Sequence, residues 1–329
     1  MAGRVMVAGG LIVLAVLTVV VAAGVLLGGA RRPPERPAPS TPAVPEASAG
    51  IGRVTEQRLD ERRMELTIES AALEATTRVR LLLPEGWSRD ADRTWPVLWL
   101  LHGGLDSYTS WTARTDVDRL TRDTGVIVVM PDGGRCGSYS DWWNGGAGGA
   151  PRWATYHLKE LLPLLESRYR AGRQRAIAGY SMGGQGAMLY AAAGHFQAAA
   201  SFSGAVHILE QGVPQAVMAG TTVGCFGTDW KRIWGDPDAQ RDIWRAHNPY
   251  DQAGRLRGVT LYVASGTAEF WQDPAEHLAG KAAKAFAARL DELGIPARTH
   301  FYPGRHDHAH WQRELHRAFP LLMRAIGAR

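Results

Sequence analysis

The chain contains only two cysteines, Cys136 and Cys225, in 329 residues. They do not form a CxxC pair, so a zinc site built on cysteine is not indicated. In an oxidising compartment two cysteines can join in one disulfide. The sequence leaves this alternative and that of two buried free thiols equally open.

Blocks of lysine and arginine interleaved with aromatic residues are also missing, and the formal net charge is only +5. A nucleic-acid partner is therefore not predicted.

No internal repeat is visible, and the content of 45% hydrophobic and 21% charged residues is ordinary for a globular protein. Roughly 280 residues remain after the N-terminal segments described below, which is enough for one large domain.

Residues 5–30 form an apolar run without a charged side chain, preceded by Arg4 and followed by Arg31. A helix formed by this run, with a rise of about 1.5 Å per residue, can span a hydrocarbon core of about 30 Å. The run is longer than the usual apolar part of a signal peptide, which favours an uncleaved signal anchor over a cleaved signal peptide for residues 1–30. The arginines that follow the run would, taken alone, favour a cytoplasmic domain.

A linker rich in Pro and Ala is predicted over residues 31–52, because it cannot bury enough apolar surface to fold. The globular domain is predicted over residues 53–329. We expect this domain to be extracytoplasmic, either anchored to the membrane or secreted. That expectation rests on the linker and on the family resemblance described below.

Short apolar runs that end near Gly or Pro alternate with helical patterns in the globular part. This alternation predicts an α/β fold with a mainly parallel central sheet flanked by helices, after an opening antiparallel pair. In such sheets functional groups gather at the carboxyl ends of the strands. The predicted strands are 66–68, 79–83, 97–101, 126–130, 176–178, 261–264 and 299–302, and the predicted helices are 153–169, 184–193, 276–293 and 310–326.

The pentad Gly-Tyr-Ser-Met-Gly at 179–183 lies between a predicted strand and a helix rich in small residues. This setting is typical of a nucleophile elbow, in which flanking glycines are needed because a Cβ would clash in the tight turn. Ser181 is therefore the predicted nucleophile. The N–H of Met182, at the start of the helix, is one predicted oxyanion donor. The alternative is a plain strand-to-helix turn with an inert serine.

A serine hydroxyl needs an imidazole as base and a carboxylate that orients the imidazole. His306 follows the last predicted strand and is the predicted base, with His308 and His310 as alternatives. Because these three histidines alternate, a metallohydrolase is a further alternative. A hydrolytic metal site usually adds ligands from other loops, and the remaining histidines are scattered. We predict no metal and no cofactor.

The acid should follow the predicted strand 261–264, and three carboxylates do: Glu269, Asp273 and Glu276. Spacing alone does not choose among them. Glu269 lies just beyond the strand, whereas Glu276 opens the next helix, where a carboxylate also complements the helix dipole.

A glycine-rich loop, His-Gly-Gly-Leu at 102–105, ends the first predicted core strand. In an α/β-hydrolase such a loop supplies the second oxyanion N–H. Gly104 is the predicted donor and Leu105 is the alternative. A later loop carries Trp142 and Trp143, which are predicted to wall a substrate pocket. The alternative for these tryptophans is packing over the edge of the sheet.

Several motifs together resemble the esterase D family of α/β-hydrolases and, within it, the antigen 85 mycolyltransferases. The resemblance runs from about Arg80 to the C-terminus. The motifs are Ser-Met-Gly-Gly at 181–184, VVMPDGG at 128–134, YSDWW at 139–143, WGDP at 234–237, LYVASGT at 261–267 and the tail from Gly304 through His306 to Trp311.

The resemblance implies a Ser–acid–His triad with Ser181 as nucleophile and His306 as base. In the antigen 85 branch the acid is a Glu near the start of the helix before the last strand, which matches Glu276. An alignment on the strand end, as in shorter esterases, would instead select Glu269. The oxyanion donors of the family match Gly104 and Met182, and the predicted substrate-binding residues are Trp142, Trp143 and Trp311.

Two departures separate this sequence from the mycolyltransferases. They carry a Trp two residues after the catalytic His, where this chain has His308, and their short disulfide loop after the SDW motif is missing. Both departures argue against transfer of mycolate to trehalose in particular.

We therefore predict a serine carboxylic-ester hydrolase or acyltransferase with an acyl-Ser intermediate. Its substrate is a small-molecule or lipid ester, with cell-envelope lipid or sugar esters as one class. Apart from this substrate and the membrane reached through the N-terminal segment, no partner is predicted, and the oligomeric state is left open. A non-catalytic, membrane-tethered binding protein on the same fold is the alternative from another class.

Overall fold

A nine-stranded sheet forms the centre of the molecule, in the order β1-β2-β3-β5-β4-β6-β7-β8-β9. The computed structural model describes residues 50–225 and 228–328. The strands are β1 (Ile51–Arg58), β2 (Arg63–Ser70), β3 (Ala75–Leu82), β4 (Trp95–Leu101), β5 (Ile127–Pro131), β6 (Ala171–Tyr180), β7 (Ala198–Phe202), β8 (Thr260–Gly266) and β9 (Ala297–Tyr302).

The sheet is antiparallel at one edge and parallel through the rest. Strands β1 to β3 form a meander in which Leu66 lies opposite Val79, and β3 pairs antiparallel with β5. From β5 through β4 to β9, each neighbouring pair is parallel. The predicted mainly parallel sheet with an opening antiparallel pair is confirmed.

Helices connect the parallel strands. The helix predicted over 153–169 runs through a π-helical segment, Tyr156–Leu161, that joins α3 to α4. The helices are α1 (Ser110–Arg114), α2 (Val117–Leu120), α3 (Trp153–Thr155), α4 (Leu162–Tyr169), α5 (Met182–Ala192), α6 (Val213–Gly224), α7 (Lys231–Trp234), α8 (Arg241–Ala246), α9 (Pro249–Gln252), α10 (Pro274–Glu292) and α11 (His308–Ala325).

Alternate side chains of the central strand β4 enter two different hydrophobic clusters. Trp99 belongs to the cluster that includes Phe286 of α10, whereas Leu98 belongs to the cluster that includes Leu322 of α11. Successive side chains of a strand point to opposite faces, so both faces of the sheet are covered. Strands buried in this way read as continuous apolar runs, which is why β4 was visible in the sequence.

Two strands were not predicted. In β1 most residues are exposed and the sequence, Ile-Gly-Arg-Val-Thr-Glu-Gln-Arg, lacks an apolar face. In β7 every residue is buried, but its first three residues are alanines, which have a low intrinsic preference for strands. Tertiary context decides the conformation in both segments.

The predicted signal anchor or signal peptide over residues 1–30, which contains the apolar run 5–30, lies outside the described residues, as does most of the predicted linker over residues 31–52. Within the part of the chain that the structure describes, no helix is both long and apolar enough to cross a bilayer.

Cys136 and Cys225 are joined in a disulfide, with their Cα atoms 6.3 Å apart. Of the two alternatives that the sequence left open, the structure has the disulfide. The bond links the loop after β5 to the residue that follows α6.

Candidate active site

Ser181 occupies a strained turn between β6 and α5. Its backbone has φ 54° and ψ −123°, a conformation that residues other than glycine rarely adopt. The turn is closely packed on both sides: a methyl group at Gly179 would lie 2.2 Å from the Gly183 carbonyl oxygen, and one at Gly183 would lie 2.4 Å from the Leu101 carbonyl oxygen. Only glycine fits at these two positions, which explains the spacing of the pentad.

His306 lies in the loop between β9 and α11, with one ring nitrogen facing Ser181 and the other facing Glu276. Its Nε2 is 2.9 Å from Ser181 Oγ. Its Nδ1 is 2.8 Å from Glu276 Oε2. With Nδ1–H donating to the carboxylate, Nε2 is left as the acceptor for the serine hydroxyl. The three side chains thus form one hydrogen-bonded chain.

The carboxylate of Glu276 has no solvent-accessible surface. Its Oε1 accepts hydrogen bonds from Ser203 Oγ at 2.8 Å and Ser265 Oγ at 3.0 Å. A third bond to this oxygen comes from the N–H of Gly266. These donors and the imidazole compensate for the loss of water that a buried carboxylate suffers.

Asp273 has a supporting position. It begins α10 by accepting the N–H of Glu276 at 3.1 Å, and its second oxygen accepts the N–H of His306 at 2.9 Å. One carboxylate therefore fixes both the helix start and the histidine loop, which sets the distance between Glu276 and His306.

The ionisation of Glu276 and His306 is coupled. Burial by itself would raise the pKa of Glu276, but the hydrogen bond and charge of His306 and the hydroxyl of Ser203 hold it below its ordinary value. For His306, burial alone would lower the pKa, but the hydrogen bond and charge of Glu276 outweigh it and raise the pKa above 6.5. The pair therefore favours a carboxylate beside an imidazole that readily accepts a proton.

The loop at 102–106, here called the oxyanion loop, lies directly against the serine. A methyl group at Gly103 would be 3.2 Å from Ser181 Cβ. The N–H of Leu105 already donates to the Arg135 carbonyl oxygen at 2.7 Å. Among the described residues the Gly104 N–H donates to no backbone or side-chain acceptor. Gly104, rather than Leu105, is thus the loop residue with an N–H available to a ligand, together with Met182 at the start of α5.

Glu269, the alternative acid, lies at the exposed surface. In the described part of the chain the carboxylate that reaches His306 Nδ1 is that of Glu276. Spacing in the sequence does not show this, because the helix start at Asp273 turns Glu276 back beneath the histidine loop.

The alternating histidines point to different partners. His308 Nε2 lies 3.2 Å from Asp106 Oδ2, and His310 Nδ1 lies 2.7 Å from Asp307 Oδ1, whereas His306 faces the serine. No group of three or more potential metal ligands occurs within residues 50–225 and 228–328.

The three predicted substrate-binding tryptophans differ in position. Trp311 is only 4% exposed and stacks on Tyr180 with ring centroids 4.2 Å apart. Its Nε1 donates to Ser203 Oγ at 3.2 Å. Trp311 therefore packs beneath the site, and its burial does not support direct contact with substrate. Trp142 and Trp143 are half-buried, and their contact with substrate stays a prediction.

Sequence reasoning missed Ser203 and Ser265, which hold the buried carboxylate. Ser203 follows β7, the alanine-rich strand that the sequence did not reveal, and has a positive φ of 46°. Ser265 lies within the LYVASGT motif, directly after the predicted strand 261–264, and this position at a strand end was the available signal.

Comparison with known proteins gives the family. Residues 70–322 match the esterase family. The esterase Rv1288 of Mycobacterium tuberculosis is 33% identical over 273 residues, which cover 78% of this chain and 58% of that protein. The diacylglycerol acyltransferase/mycolyltransferase Ag85B of Mycolicibacterium smegmatis is 28% identical over 253 residues, which cover 70% of this chain and 77% of that protein. The chain thus spans little more than half the length of the first of these relatives.

Solved structures show the same fold. MPT51 of Mycobacterium tuberculosis superposes with a TM-score of 0.65 at 24% identity, covering 78% of this chain and 95% of that one. An S-formylglutathione hydrolase from Agrobacterium tumefaciens superposes with a TM-score of 0.67 at 17% identity, covering 84% and 100%. At this level of identity the likeness establishes an α/β-hydrolase fold.

We expect the imidazole of His306 to titrate above 6.5 in the folded protein. Glu276→Gln should lower this pKa, because removing the negative charge disfavours the imidazolium. Nitrogen-15 NMR of the ring as a function of pH measures it, with Glu269→Gln as the control that leaves it unchanged. An unaltered His306 pKa in the Glu276 variant would contradict the pairing.

Proposed function

The chain belongs to the esterase family, and from this premise we propose that it is a serine carboxylic-ester hydrolase or acyltransferase that works through an acyl-Ser181 intermediate. The observation that carries the proposal is the hydrogen-bonded chain from Ser181 through His306 to Glu276. Nucleophile, base and acid in this order, with the serine on a strained strand-to-helix turn, form the arrangement used for acyl transfer.

In the first half of the reaction Ser181 Oγ attacks the carbonyl carbon of the ester while His306 Nε2 takes the hydroxyl proton. The carbonyl oxygen becomes negative and is stabilised by the N–H groups of Met182 and Gly104. The intermediate then collapses: the bond to the leaving alcohol breaks, His306 returns the proton to that oxygen, and the acyl group remains on Ser181.

The second half repeats these steps with a new nucleophile. Water or a bound alcohol gives its proton to His306 and attacks the acyl carbon, which releases an acid or a new ester and restores Ser181. Glu276 stays ionised throughout and stabilises the imidazolium formed in each half. Hydrolysis and transfer share the same residues and differ in which molecule reaches the acyl-enzyme.

We also propose that the protein works outside the cytoplasm on lipid or sugar esters of the cell envelope. The apolar run over residues 5–30 supports an N-terminal membrane anchor. The Cys136–Cys225 disulfide supports an oxidising compartment. Similarity to a protein named as a diacylglycerol acyltransferase/mycolyltransferase supports a lipid ester as acyl donor.

Ser181→Ala should abolish hydrolysis of a p-nitrophenyl ester and leave the fold intact, because alanine fits the turn as well as serine. Loss of a triad member typically lowers kcat by about 10⁴–10⁶. A serine-directed phosphonate should label the wild-type protein at Ser181 and should not label the variant. A variant that keeps more than a tenth of the activity would show that Ser181 is not the nucleophile.

Glu276→Gln should lower kcat by about 10²–10⁴, because the amide has the shape of the carboxylate but cannot stabilise the imidazolium. Glu269→Gln is the matched control and should leave kcat nearly unchanged. Steady-state rates on one ester decide between the two residues. Collapse of activity in the Glu269 variant with normal activity in the Glu276 variant would reverse the assignment of the acid.

Incubation with an envelope lipid extract, followed by a rapid acid quench, should leave a long acyl chain on the peptide that contains Ser181. Mass spectrometry of the digest identifies the acyl group, and Ser181→Ala provides the blank. An acyl adduct obtained only from short synthetic esters would argue against a lipid donor.

A further inference from the structure

We propose that the Cys136–Cys225 disulfide is a positioning element that holds the oxyanion loop in its active geometry. This inference rests on the proposed function of the loop, in which the N–H of Gly104 stabilises the negative oxygen. Each cysteine is the chain neighbour of a residue that contacts Leu105, and Leu105 immediately follows Gly104.

The first contact is made by the backbone. The N–H of Leu105 donates to the carbonyl oxygen of Arg135 at 2.7 Å, and Arg135 directly precedes Cys136. Leu105 has φ 66°, a left-handed conformation that is unfavourable for leucine. An external bond is therefore needed to keep the loop in this shape.

The second contact is made by the leucine side chain. A methyl group at Gly224 would lie 2.5 Å from Leu105 Cδ2 and 2.9 Å from Cδ1, so Leu105 packs on the bare backbone at the end of α6. Gly224 directly precedes Cys225. The guanidinium of Arg135 also donates to the Gly224 carbonyl oxygen, at 3.4 Å. The disulfide thus joins the two segments between which Leu105 is held.

The two ends of the oxyanion loop are held differently. On the side of the serine, Tyr180 Oη donates to Asp106 Oδ2 at 2.7 Å, and Tyr180 is itself buried in the core. On the other side Arg135 is exposed and Leu105 is 39% exposed. Gly133 and Tyr139 hold the start of the loop through buried hydrogen bonds to His102. The described hydrogen bond that joins Arg135 to Gly224 lies at the surface, so the disulfide is the strong link between the two segments that contact Leu105.

If the Leu105 side of the oxyanion loop is held less firmly, stabilisation of the transition state should weaken more than substrate binding does. An oxyanion donor contributes most when its N–H points at the position of the negative oxygen, and a displacement on the order of 1 Å is enough to reduce its effect. Removal of one donor lowers kcat by about 10²–10³. A donor that is present but poorly held should cost about tenfold in kcat with little change in KM.

The first test compares the wild-type protein, oxidised or reduced, with the double variant C136S/C225S. Dithiothreitol supplies the two electrons and two protons that convert the disulfide into two thiols, and mass spectrometry verifies the reduction. We expect kcat and the rate of phosphonate labelling to be about tenfold lower in the reduced wild-type protein and in the double variant than in the oxidised protein. KM should change by no more than about twofold, and the near-ultraviolet circular dichroism spectrum should be unchanged. Unchanged kcat in a verified reduced protein would overturn the inference.

The second test leaves the disulfide in place and perturbs Leu105. Gly224→Ala should lower kcat several-fold, although alanine favours a helix, because the new methyl group forces the Leu105 side chain off the end of α6 and removes the packing contact that holds the loop there. Gly220→Ala in the same helix is the matched control, since nothing lies within 4 Å of its added methyl group. Combining Leu105→Ala with Gly224→Ala should remove the clash, so that the second substitution has no further effect.

The second test also decides the case in which the double cysteine variant does not fold. Equal rates in the Gly224 and Gly220 variants would overturn the inference. Failure of the proposed function is distinguishable, because a wild-type protein without esterase activity and without phosphonate labelling at Ser181 would overturn both. Labelled, active wild-type protein with rates insensitive to reduction would overturn the positioning role alone.

Discussion

The buried carboxylate of Glu276 is the group on which the arrangement of the site depends. Burying a charged carboxylate away from water lowers the stability of the fold unless the carboxylate is paired and hydrogen-bonded. Its donors come from Ser203 after β7, from Ser265 and Gly266 of β8, and from His306 after β9. These three strands are neighbours in the parallel sheet, so their carboxyl ends meet at one edge. The requirement to satisfy one charge therefore fixes three loops relative to one another.

The same network reaches the strained serine. Trp311 stacks on Tyr180, the residue before Ser181, and also donates to Ser203, which holds Glu276. A residue with an unfavourable backbone conformation costs about 1–3 kcal/mol and persists only when its surroundings hold it. The aromatic packing under Ser181 supplies that support and couples the position of Ser181 to that of Glu276.

The oxyanion loop is held by a different kind of structure. The serine, histidine and acid are fixed from the core, whereas Leu105 is held by a backbone hydrogen bond and a contact with Gly224 near the surface. Surface contacts are weaker and open more easily than core packing. In the proposed role of the disulfide, a covalent bond beside both contacts compensates for this difference, so that stabilisation of the transition state is controlled apart from the position of Ser181.

The amino-acid sequence by itself determined the class of fold, the pentad around Ser181 and the late position of His306, because these features depend on local rules. Apolar runs reveal strands that are buried on both faces, and a tight turn tolerates only glycine at fixed spacing. Only the tertiary structure decided that Glu276 rather than Glu269 meets His306, that Ser203 supports it, and that Trp311 lies in the core. The strands β1 and β7 also escaped detection, since pairing with neighbours outweighs their weak local preference. Which side chains meet depends on contacts between residues far apart in the chain, and spacing along the sequence carries no record of those distances.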